Sequence, residues 1–445
     1  MKGRQLIMGL GLAAGLALPL SASATNGYFA HGYGTANKAL AGAGVAMPQD
    51  ALAPATNPAG ITKLGHRMDL GLALFSPQRE YSVAGNPSGG ANTLPLMPGT
   101  YDSDSNYFLI PSFGYNRPLD DNSAFAVAVY GNGGMNTDWP NVNNFPGSGR
   151  PSGTFYGGPA GVDLMQLFVA PTYAREVSGW SVGASAILAF QSFEAEGVGS
   201  FQGVSNDPNN LSNKGHDTSY GAGVRLGLLA PLSDTVNFGA SFQSKIYMSE
   251  FDDYAGLFAE KGDFDIPANF TFGVAIDTSD RSTLLFDVQY IMYGSVDSIS
   301  NPMMPNFNNC AGGRAIAGNP TLQLPDCLGG DNGIGFGWKD MTIFKLGYQW
   351  ETANDWTWRL GYSYGRQPIR STDVMFNILA PGVIEHHFTG GFSKKIGDGV
   401  LNFAAMYAPE ESVRGPNPLE APGQQTIELS MYQFELEASY TWFFD

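Results

Sequence analysis

Residues 427–444, IELSMYQFELEASYTWFF, alternate apolar and polar side chains almost to the end of the chain. The apolar set contains Tyr432, Phe434, Leu436, Ala438, Tyr440, Trp442 and Phe444. The polar set contains Gln433, Glu435, Glu437, Ser439 and Thr441. Successive side chains of a strand point to opposite faces, so this stretch predicts a strand with one aromatic-rich face and one charged face. A strand between a membrane and a polar interior requires that division.

Thirteen further segments repeat the alternation, which gives fourteen candidate strands, an even number. They span residues 68–74, 107–115, 125–129, 167–173, 180–190, 220–228, 236–242, 270–276, 284–292, 344–350, 356–364, 384–388 and 401–407. Small or polar residues separate the apolar ones, for example Gly221, Gly223 and Arg225. A barrel lumen tolerates such residues, whereas the core of a β-sandwich does not. We therefore predict an all-β fold, a 14-stranded antiparallel transmembrane β-barrel over residues 67–445.

The connections between the candidate strands fall into two classes. Short polar turns occur at residues 118–122, 233–234, 279–281 and 353–355. Long stretches rich in Gly, Pro and Asn occur at 136–162, 197–217 and 297–336. Outer-membrane barrels have tight periplasmic turns and long outer loops, so the two classes assign the two ends of the barrel. A barrel of this kind usually ends on an aromatic residue, whereas here Asp445 follows Phe444.

The composition and the N-terminus agree with an exported membrane protein. Charged residues make up 14% of the chain, below the ~25% typical of soluble domains, and aromatic residues make up 13%. The formal net charge of −17 argues against a nucleic-acid partner. Lys2 and Arg4 precede an apolar run at 6–20, and Ala22-Ser23-Ala24 supplies a cleavage signal. We expect a signal peptide at 1–24 and the bacterial outer membrane as the location.

The two cysteines, Cys310 and Cys327, both lie in the long 297–336 stretch. In an oxidising compartment we expect them to form a disulfide, which contributes about 3 kcal/mol for a loop of this size. The same stretch contains no His, so we expect no metal site there.

Residues 25–66 do not follow the alternation. They are rich in Ala and Gly and include a short helix-compatible stretch at 36–41. About forty residues are too few to build a core of their own, so this segment needs another surface to pack against. We expect it to be a hatch that plugs the lumen.

The order of these elements resembles the FadL/TodX family of outer-membrane transporters for long-chain fatty acids and other hydrophobic compounds. The resemblance covers essentially the whole mature chain, and three motifs carry it. They are Asp50-Ala51 followed by Asn57-Pro58-Ala59-Gly60, Asp263-Phe264-Asp265-Ile266-Pro267, and Trp338-Lys339-Asp340. The resemblance implies passive transport by a monomer without a cofactor, surrounded by outer-membrane lipid and lipopolysaccharide. It also implies capture among the outer loops, an apolar pocket above the hatch, and sideways exit at a kink in the third strand.

Gly131, Asn132, Gly133 and Gly134 follow the third candidate strand and are the candidates for that kink. Three glycines weaken ladder pairing and permit a bulge, although the run could also simply end the strand. We expect Asn57-Pro58-Ala59 to face the kink, with Pro58 fixing a turn and Asn57 bonding unpaired backbone groups. The alternative is a simple turn between the hatch and the first strand.

Five basic residues share the inward phase of the alternation. They are Arg225, Lys245, Lys339, Lys345 and Arg359. Each could pair with lumen carboxylates, for which the candidates are Asp287, Glu385, Glu435 and Glu437, or could bind the head group of a fatty acid. The region after Phe193 carries Glu194 and Glu196, which leaves an aromatic hydrocarbon open as the alternative ligand.

Catalytic motifs are weak in this chain. Gly361-Tyr362-Ser363-Tyr364-Gly365 fits G-x-S-x-G but lies within an alternating strand, not at a strand–turn–helix elbow. His386 and His387 point to opposite faces of a strand and cannot share a metal. An enzyme would show a Ser/His pair facing the same way on neighbouring strands, and a general porin would lack the hatch. We predict a transporter without catalytic residues, with a barrel enzyme or a porin as the alternatives.

Overall fold

The computed structural model describes residues 26–90, 93–142, 145 and 149–445, so the predicted signal peptide at 1–24 lies outside the described residues. Fourteen long antiparallel strands form one closed ring, which confirms the predicted barrel. They are β1 (Arg67–Ala84), β2 (Phe108–Asp120), β3 (Ser123–Trp139), β4 (Ala160–Val177), β5 (Trp180–Glu196), β6 (Asp217–Ser233), β7 (Val236–Gln243), β8 (Asn269–Ser279), β9 (Ser282–Ile291), β10 (Met341–Thr352), β11 (Trp356–Gly365), β12 (His386–Ile396), β13 (Gly399–Pro416) and β14 (Thr426–Phe443). The ring closes between β1 and β14, whose ladder runs from Arg67 opposite Phe443 to Ala84 opposite Thr426.

Helical elements are short. The right-handed α-helical segments are Thr35–Lys38, Asp297–Ser300 and Asn306–Ala317, whereas Ala259–Gly262 forms a turn in which Glu260 and Lys261 have positive φ. Single 3-10 turns occur at Ala53–Ala55, Pro58–Lys63, Gly199–Val204, Pro208–Asn210, Asp252–Tyr254, Tyr293–Ser295 and Phe376–Ile378. Within the described part of the chain, no helix has the length and apolar character needed to cross a bilayer. Two short strands, Gly99–Asp102 and Tyr247–Met248, pair with β1 and β6 outside the main ring.

The two faces of the wall differ as the alternation predicts. On β14, Phe434 is 46% exposed and Leu436 is 49% exposed. The alternating residues Glu435 and Glu437 are only 2% and 3% exposed. Apolar side chains therefore cover the outside of the barrel, and polar side chains line the inside.

The connections also divide between the two ends of the barrel. Tight turns occupy residues 121–122, 178–179, 234–235, 280–281, 353–355 and 397–398. Long loops occupy 85–107, 140–159, 197–216, 244–268, 292–340, 366–385 and 417–425. The described residues of these loops fold over their end of the barrel and bury a cluster of aromatic rings, with Phe193 4.7 Å from Phe258 and 4.9 Å from Tyr254 between ring centroids. This end is consequently apolar inside.

Residues 26–66, called the hatch below, contribute no barrel strand and pack against the inner wall. Asp287 of β9 accepts hydrogen bonds from the backbone N–H groups of Gly44 and Val45 at 2.8 and 2.9 Å. Thr389 of β12 accepts one from the N–H of Ala41 at 2.9 Å. Polar side chains of the lumen therefore hold the hatch in addition to the hydrogen bonds within its own backbone.

Candidate functional site

The barrel wall is interrupted between β2 and β3. The β1–β2 ladder extends to Phe75 opposite Phe108, but the β2–β3 ladder ends at Phe113 opposite Val129. Strand β3 nevertheless continues to Trp139, paired only with β4 on its other side. Near the loop end the wall closes again, because Asp104 donates its N–H to the carbonyl of Asp138 at 2.8 Å. We call the interval along β3 from residue 130 to residue 137 the window.

A bulge at Asn132 lies inside the window. Gly131 pairs with Leu167 and Gly133 pairs with Gln166, so Asn132 is the extra residue. A bulge reverses which residues point inward. Ala126 and Ala128 face the lumen before it, and the odd-numbered residues Met135, Thr137 and Trp139 do so after it. The run from Gly131 to Gly134 thus continues the strand through an irregularity and does not end it.

Three hatch residues, Tyr28 to Ala30, fill the window from the inside, and we call them the stopper. Gly134 donates its N–H to the carbonyl of Tyr28, and Ala30 donates its N–H to the carbonyl of Asn132, both at 3.0 Å. A Cβ on Gly133 would lie 1.8 Å from the carbonyl oxygen of Tyr28. Only glycine therefore permits the stopper to approach β3 this closely.

Aromatic rings support the stopper from behind. The ring centroid of Tyr28 lies 5.3 Å from that of Tyr293, which lies 5.2 Å from that of Trp338. The Tyr293 hydroxyl donates to the carbonyl of Asn26 at 2.5 Å. Tyr28, Tyr293 and Trp338 belong to the large apolar cluster that continues into the aromatic rings under the loops. The stopper thus separates that apolar interior from the window.

The motif Asn57-Pro58-Ala59 does not face the window, which corrects the expectation from sequence. Asn57 donates its Nδ2 to the carbonyls of Val45 and Leu228 at 2.7 and 2.9 Å, and its Oδ1 accepts the N–H of Ala59 at 3.1 Å. It caps the 3-10 turn Pro58–Lys63 and fixes it to β6. The backbone groups at the bulge are bonded by the stopper instead.

The five predicted cations are not gathered at one site. Arg225 bonds Gln243, Arg359 bonds Gln349 and Ser393, and Lys345 donates to the carbonyl of His31 at 3.1 Å. Lys245 lies in the 244–268 loop, where it pairs with Asp265 at 2.8 Å.

Two details of the cation prediction are wrong. Lys339 is exposed to solvent and does not line the lumen. Glu435 and Glu437 bind Lys38 of the hatch, not a cation of the wall.

Sequence reasoning also missed Arg79 on the inward face of β1. Its side chain is 4% exposed, its Nη1 donates to the carbonyl of Ser105 at 2.8 Å, and its Nη2 is unpartnered in the described structure. Arg79 shares the phase of Phe75 and Tyr81, which is the signal that could have revealed it.

A Ser/His pair does occur on neighbouring strands. Ser363 Oγ of β11 lies 3.1 Å from His387 Nδ1 of β12. The His387 ring stacks on His31 of the hatch at 5.7 Å, and its Nε2 bonds none of the described residues. Both members are buried, and the G-x-S-x-G match lies within strand β11 as predicted. His386 points to the other face, where its Nδ1 lies 2.8 Å from the Tyr362 hydroxyl.

A disulfide joins Cys310, in the helix Asn306–Ala317, to Cys327 farther along the 292–340 loop. Both cysteines are fully buried. Arg314 of the same helix donates to the carbonyls of Gly203 and Ser205 at 2.8 and 2.9 Å, so the stapled loop is tied to the 197–216 loop.

Comparisons with known proteins agree with this architecture. The family model described as outer membrane protein transport protein (OMPP1/FadL/TodX) matches residues 16–379. No curated protein matches the chain significantly in sequence. The toluene transporter TodX of P. putida is 20% identical, with a TM-score of 0.64 over 93% of this chain and 99% of that one.

Two further solved structures share the fold. The toluene transporter TbuX of Ralstonia pickettii is 19% identical, with a TM-score of 0.60 over 93% of this chain and 99% of that one. A FadL homologue of Pseudomonas aeruginosa is 15% identical, with a TM-score of 0.64 over 94% of this chain and 100% of that one. Because the family model covers more than half of the chain, this protein belongs to the FadL/TodX family of bacterial outer-membrane transport proteins.

Proposed function

We propose that this protein takes up hydrophobic compounds passively, long-chain fatty acids first among them, and releases them sideways through the window. The observation that carries the proposal is the end of the β2–β3 ladder at Val129 while β3 continues to Trp139. An interrupted ladder in a closed barrel leaves backbone groups that need another partner. Here that partner is the stopper, a hatch segment in place of a strand of the wall.

The interior between the loops and the window is packed with apolar side chains. Crossing a water-filled pore or a polar leaflet costs an acyl chain free energy, because its transfer into water is unfavourable. The aromatic cluster under the loops and the rings behind the stopper belong to one continuous apolar cluster. A chain can therefore pass from loops to window without entering water.

Displacing the stopper breaks its hydrogen bonds to β3 and uncovers the buried rings of Tyr28 and Phe29. Two backbone hydrogen bonds join it to β3, from Gly134 to Tyr28 and from Ala30 to Asn132. A hydrogen bond contributes about 0.5–1.5 kcal/mol net. An incoming apolar molecule can offset the loss of ring burial by covering the apolar surface that Tyr28 and Phe29 leave.

Monoaromatic hydrocarbons are the second candidate substrates. The many rings in the apolar cluster suit a flat aromatic ligand, since such rings favour stacked and edge-to-face contacts. The solved structures of TodX and TbuX are described as those of toluene transporters, which supports the same alternative.

The experiment measures uptake of radiolabelled oleate and of toluene in a deletion strain that carries this gene. Deletion of Asn132 removes the bulge but keeps the pairing of Gly131 with Leu167 and of Gly133 with Gln166. We expect a straight β3 and strongly reduced uptake. The matched control, Asn132→Ala, keeps the extra residue and is expected to retain most uptake.

Two outcomes contradict the proposal. If the wild type restores uptake of neither oleate nor toluene, the transport function is wrong. If the Asn132 deletion variant forms a folded, heat-modifiable barrel and transports at the wild-type rate, the sideways route is wrong.

A further inference from the structure

Arg79 presents an unusual charge at the edge of the window. Its guanidinium carbon lies 5.7 Å from the ring centroid of Phe108, and one hydrogen bond ties Nη1 to Ser105. Asp163 acts on this charge electrostatically but forms its ion pair with His216, and Nη2 of Arg79 has no acceptor in the described part of the chain. A buried charge without a counter-charge in contact is costly, so a site that keeps one is suited to an anionic ligand.

We propose that Arg79 binds the carboxylate of a fatty acid at the window. The inference rests on the proposed function and deepens it, because it names carboxylate-bearing amphiphiles, not neutral hydrocarbons, as the substrate class. A guanidinium N–H donating to a carboxylate forms a strong charge-assisted hydrogen bond. A neutral aromatic molecule offers no such acceptor.

The surroundings of Arg79 fit an amphiphile. Arg79 lines a cavity of about 10 Å³ together with Gly27, Met135, Asn136 and Met431, which is roughly the space of one water-sized probe. Met135 and Met431 belong to the large apolar cluster, and unbranched methionine side chains adapt readily to a new neighbour. The acyl chain would lie among these apolar side chains while its head group meets the guanidinium.

Binding at Arg79 and opening of the window are linked by the stopper. Gly27 forms part of the cavity wall and directly precedes Tyr28. Movement of the stopper away from β3 would therefore enlarge this cavity as it opens the window. The other unpartnered polar atom on the wall, Asn136 Oδ1, is an acceptor and offers nothing to a carboxylate, so discrimination rests on Arg79.

The test measures dissociation constants of oleate and of oleyl alcohol for the purified full-length protein in a non-ionic detergent. We expect Arg79→Gln to weaken oleate binding at least tenfold, about 1.4 kcal/mol, and to change oleyl alcohol binding less than twofold. Arg79→Met, which removes the buried charge without adding a polar group, is expected to fold and to give the same result. The control Arg359→Gln, at a buried arginine bonded to Gln349 and Ser393, should leave both constants unchanged.

The outcomes separate this inference from the transport function. Oleate bound by folded Arg79→Gln or Arg79→Met as tightly as by the wild type would overturn the inference, and so would an equal loss of oleate and oleyl alcohol. A wild type that transports toluene but binds no oleate also overturns it while transport stands. A wild type that transports neither compound overturns the transport function itself.

Discussion

Lys38 of the hatch and Glu435 of the last strand form a buried ion pair, with 2.7 Å between Nζ and Oε1. The same Nζ lies 2.7 Å from Oε2 of Glu437, two residues along β14. Thr35 Oγ1 donates to the other oxygen of Glu437 at 2.7 Å. One lysine therefore compensates two carboxylates that would otherwise repel each other in a poorly solvated place. The ion pairs join the hatch to the strand that closes the barrel.

We predict that Lys38→Met loosens the hatch and leaves the barrel folded. Removing one partner of a buried ion pair typically costs about 3–5 kcal/mol, because the remaining charges stay buried and unpaired. Hydrogen exchange of the amides of residues 35–44 should become faster, while the strand amides should keep their protection. The triple variant Lys38→Met, Glu435→Gln, Glu437→Gln should recover much of the hatch protection. Wild-type exchange rates in Lys38→Met would contradict the role given to this pair.

The sequence predicts the carboxylates of this pair but not the lysine. Alternation places Glu435 and Glu437 on the inward face because side chains in a strand repeat every two residues. Lys38 lies in a segment without that period, and nothing local to it indicates which wall residue it meets. Contacts between the hatch and the wall depend on how the ring closes, which no short stretch of sequence encodes.

The alternation of β1 also fails to reveal Arg79, because it weakens along the strand. The alternation of β1 is clear at Leu70, Leu72 and Leu74, which point outward, but Ser76 and Gln78 follow in the same phase. Toward the loops β1 has no apolar outward face, so the hydrophobic signal ends before Arg79. The glycine run at 131–134 was informative because glycine weakens ladder pairing wherever it occurs. Its partner, the stopper, was not predictable from any local motif.

A second prediction concerns the anchor of the hatch on β6. Asn57→Ala removes two donated hydrogen bonds and the cap of the turn Pro58–Lys63, a loss of about 1–3 kcal/mol. We expect faster hydrogen exchange at residues 57–63 and little change at residues 26–34, because the stopper is held separately. The control Asn57→Ser keeps a neutral acceptor for the N–H of Ala59 and should loosen the turn less. If exchange instead accelerated more at residues 26–34 than at residues 57–63, the motif Asn57-Pro58-Ala59 would support the window.

A third prediction concerns Gly183 and Gly227, the wall glycines that contact Asn57 and Pro58 of the hatch. A Cβ on Gly227 would lie 2.1 Å from Asn57 Oδ1, and one on Gly183 would lie 2.5 Å from the backbone carbon of Pro58. Contacts this short force the backbone apart. Gly183→Val should therefore displace the hatch more than Gly223→Val, whose Cβ would first meet side-chain atoms of Ile246 and Ser244 in the 244–268 loop. Trypsin cleavage after Lys63 in purified protein measures the difference, and equal cleavage of the two variants would contradict the close packing.

A fourth prediction concerns the disulfide between Cys310 and Cys327, seventeen positions apart. Closing a loop of this size restricts the unfolded chain by about 3 kcal/mol. The double variant Cys310→Ser, Cys327→Ser should be cleaved faster by proteases within residues 292–340, while its barrel keeps the wild-type heat-modifiability. Because both sulfurs are buried, a thiol reductant should reproduce the effect slowly unless a denaturant is present. Equal cleavage of variant and wild type would show that Arg314 alone secures the loop.

The last prediction is a pH dependence in the 244–268 loop, at Asp263. The pKa of the Asp263 carboxyl is raised from 3.8 to about 7, mainly because the group is partly buried and secondly because Asp265 repels its charge. Asp265 is held by Lys245 at 2.8 Å and by the N–H of Met248 at 2.7 Å, so it stays beside Asp263. A carboxyl whose pKa is raised by folding favours the folded loop while it is protonated. That contribution is complete below pH 3.8 and is lost as the pH rises through about 7.

Hydrogen exchange of residues 259–267, corrected for the intrinsic effect of pH on exchange, measures this loss. We expect the free energy of local opening to fall between pH 5 and pH 8 in the wild type. Asp263→Asn, which is neutral at every pH, should remove most of that dependence and keep the loop closed at pH 8. A pH dependence in Asp263→Asn as steep as in the wild type would place the titrating group elsewhere. The amides of β14 act as the internal reference, because their ladder lies outside this loop.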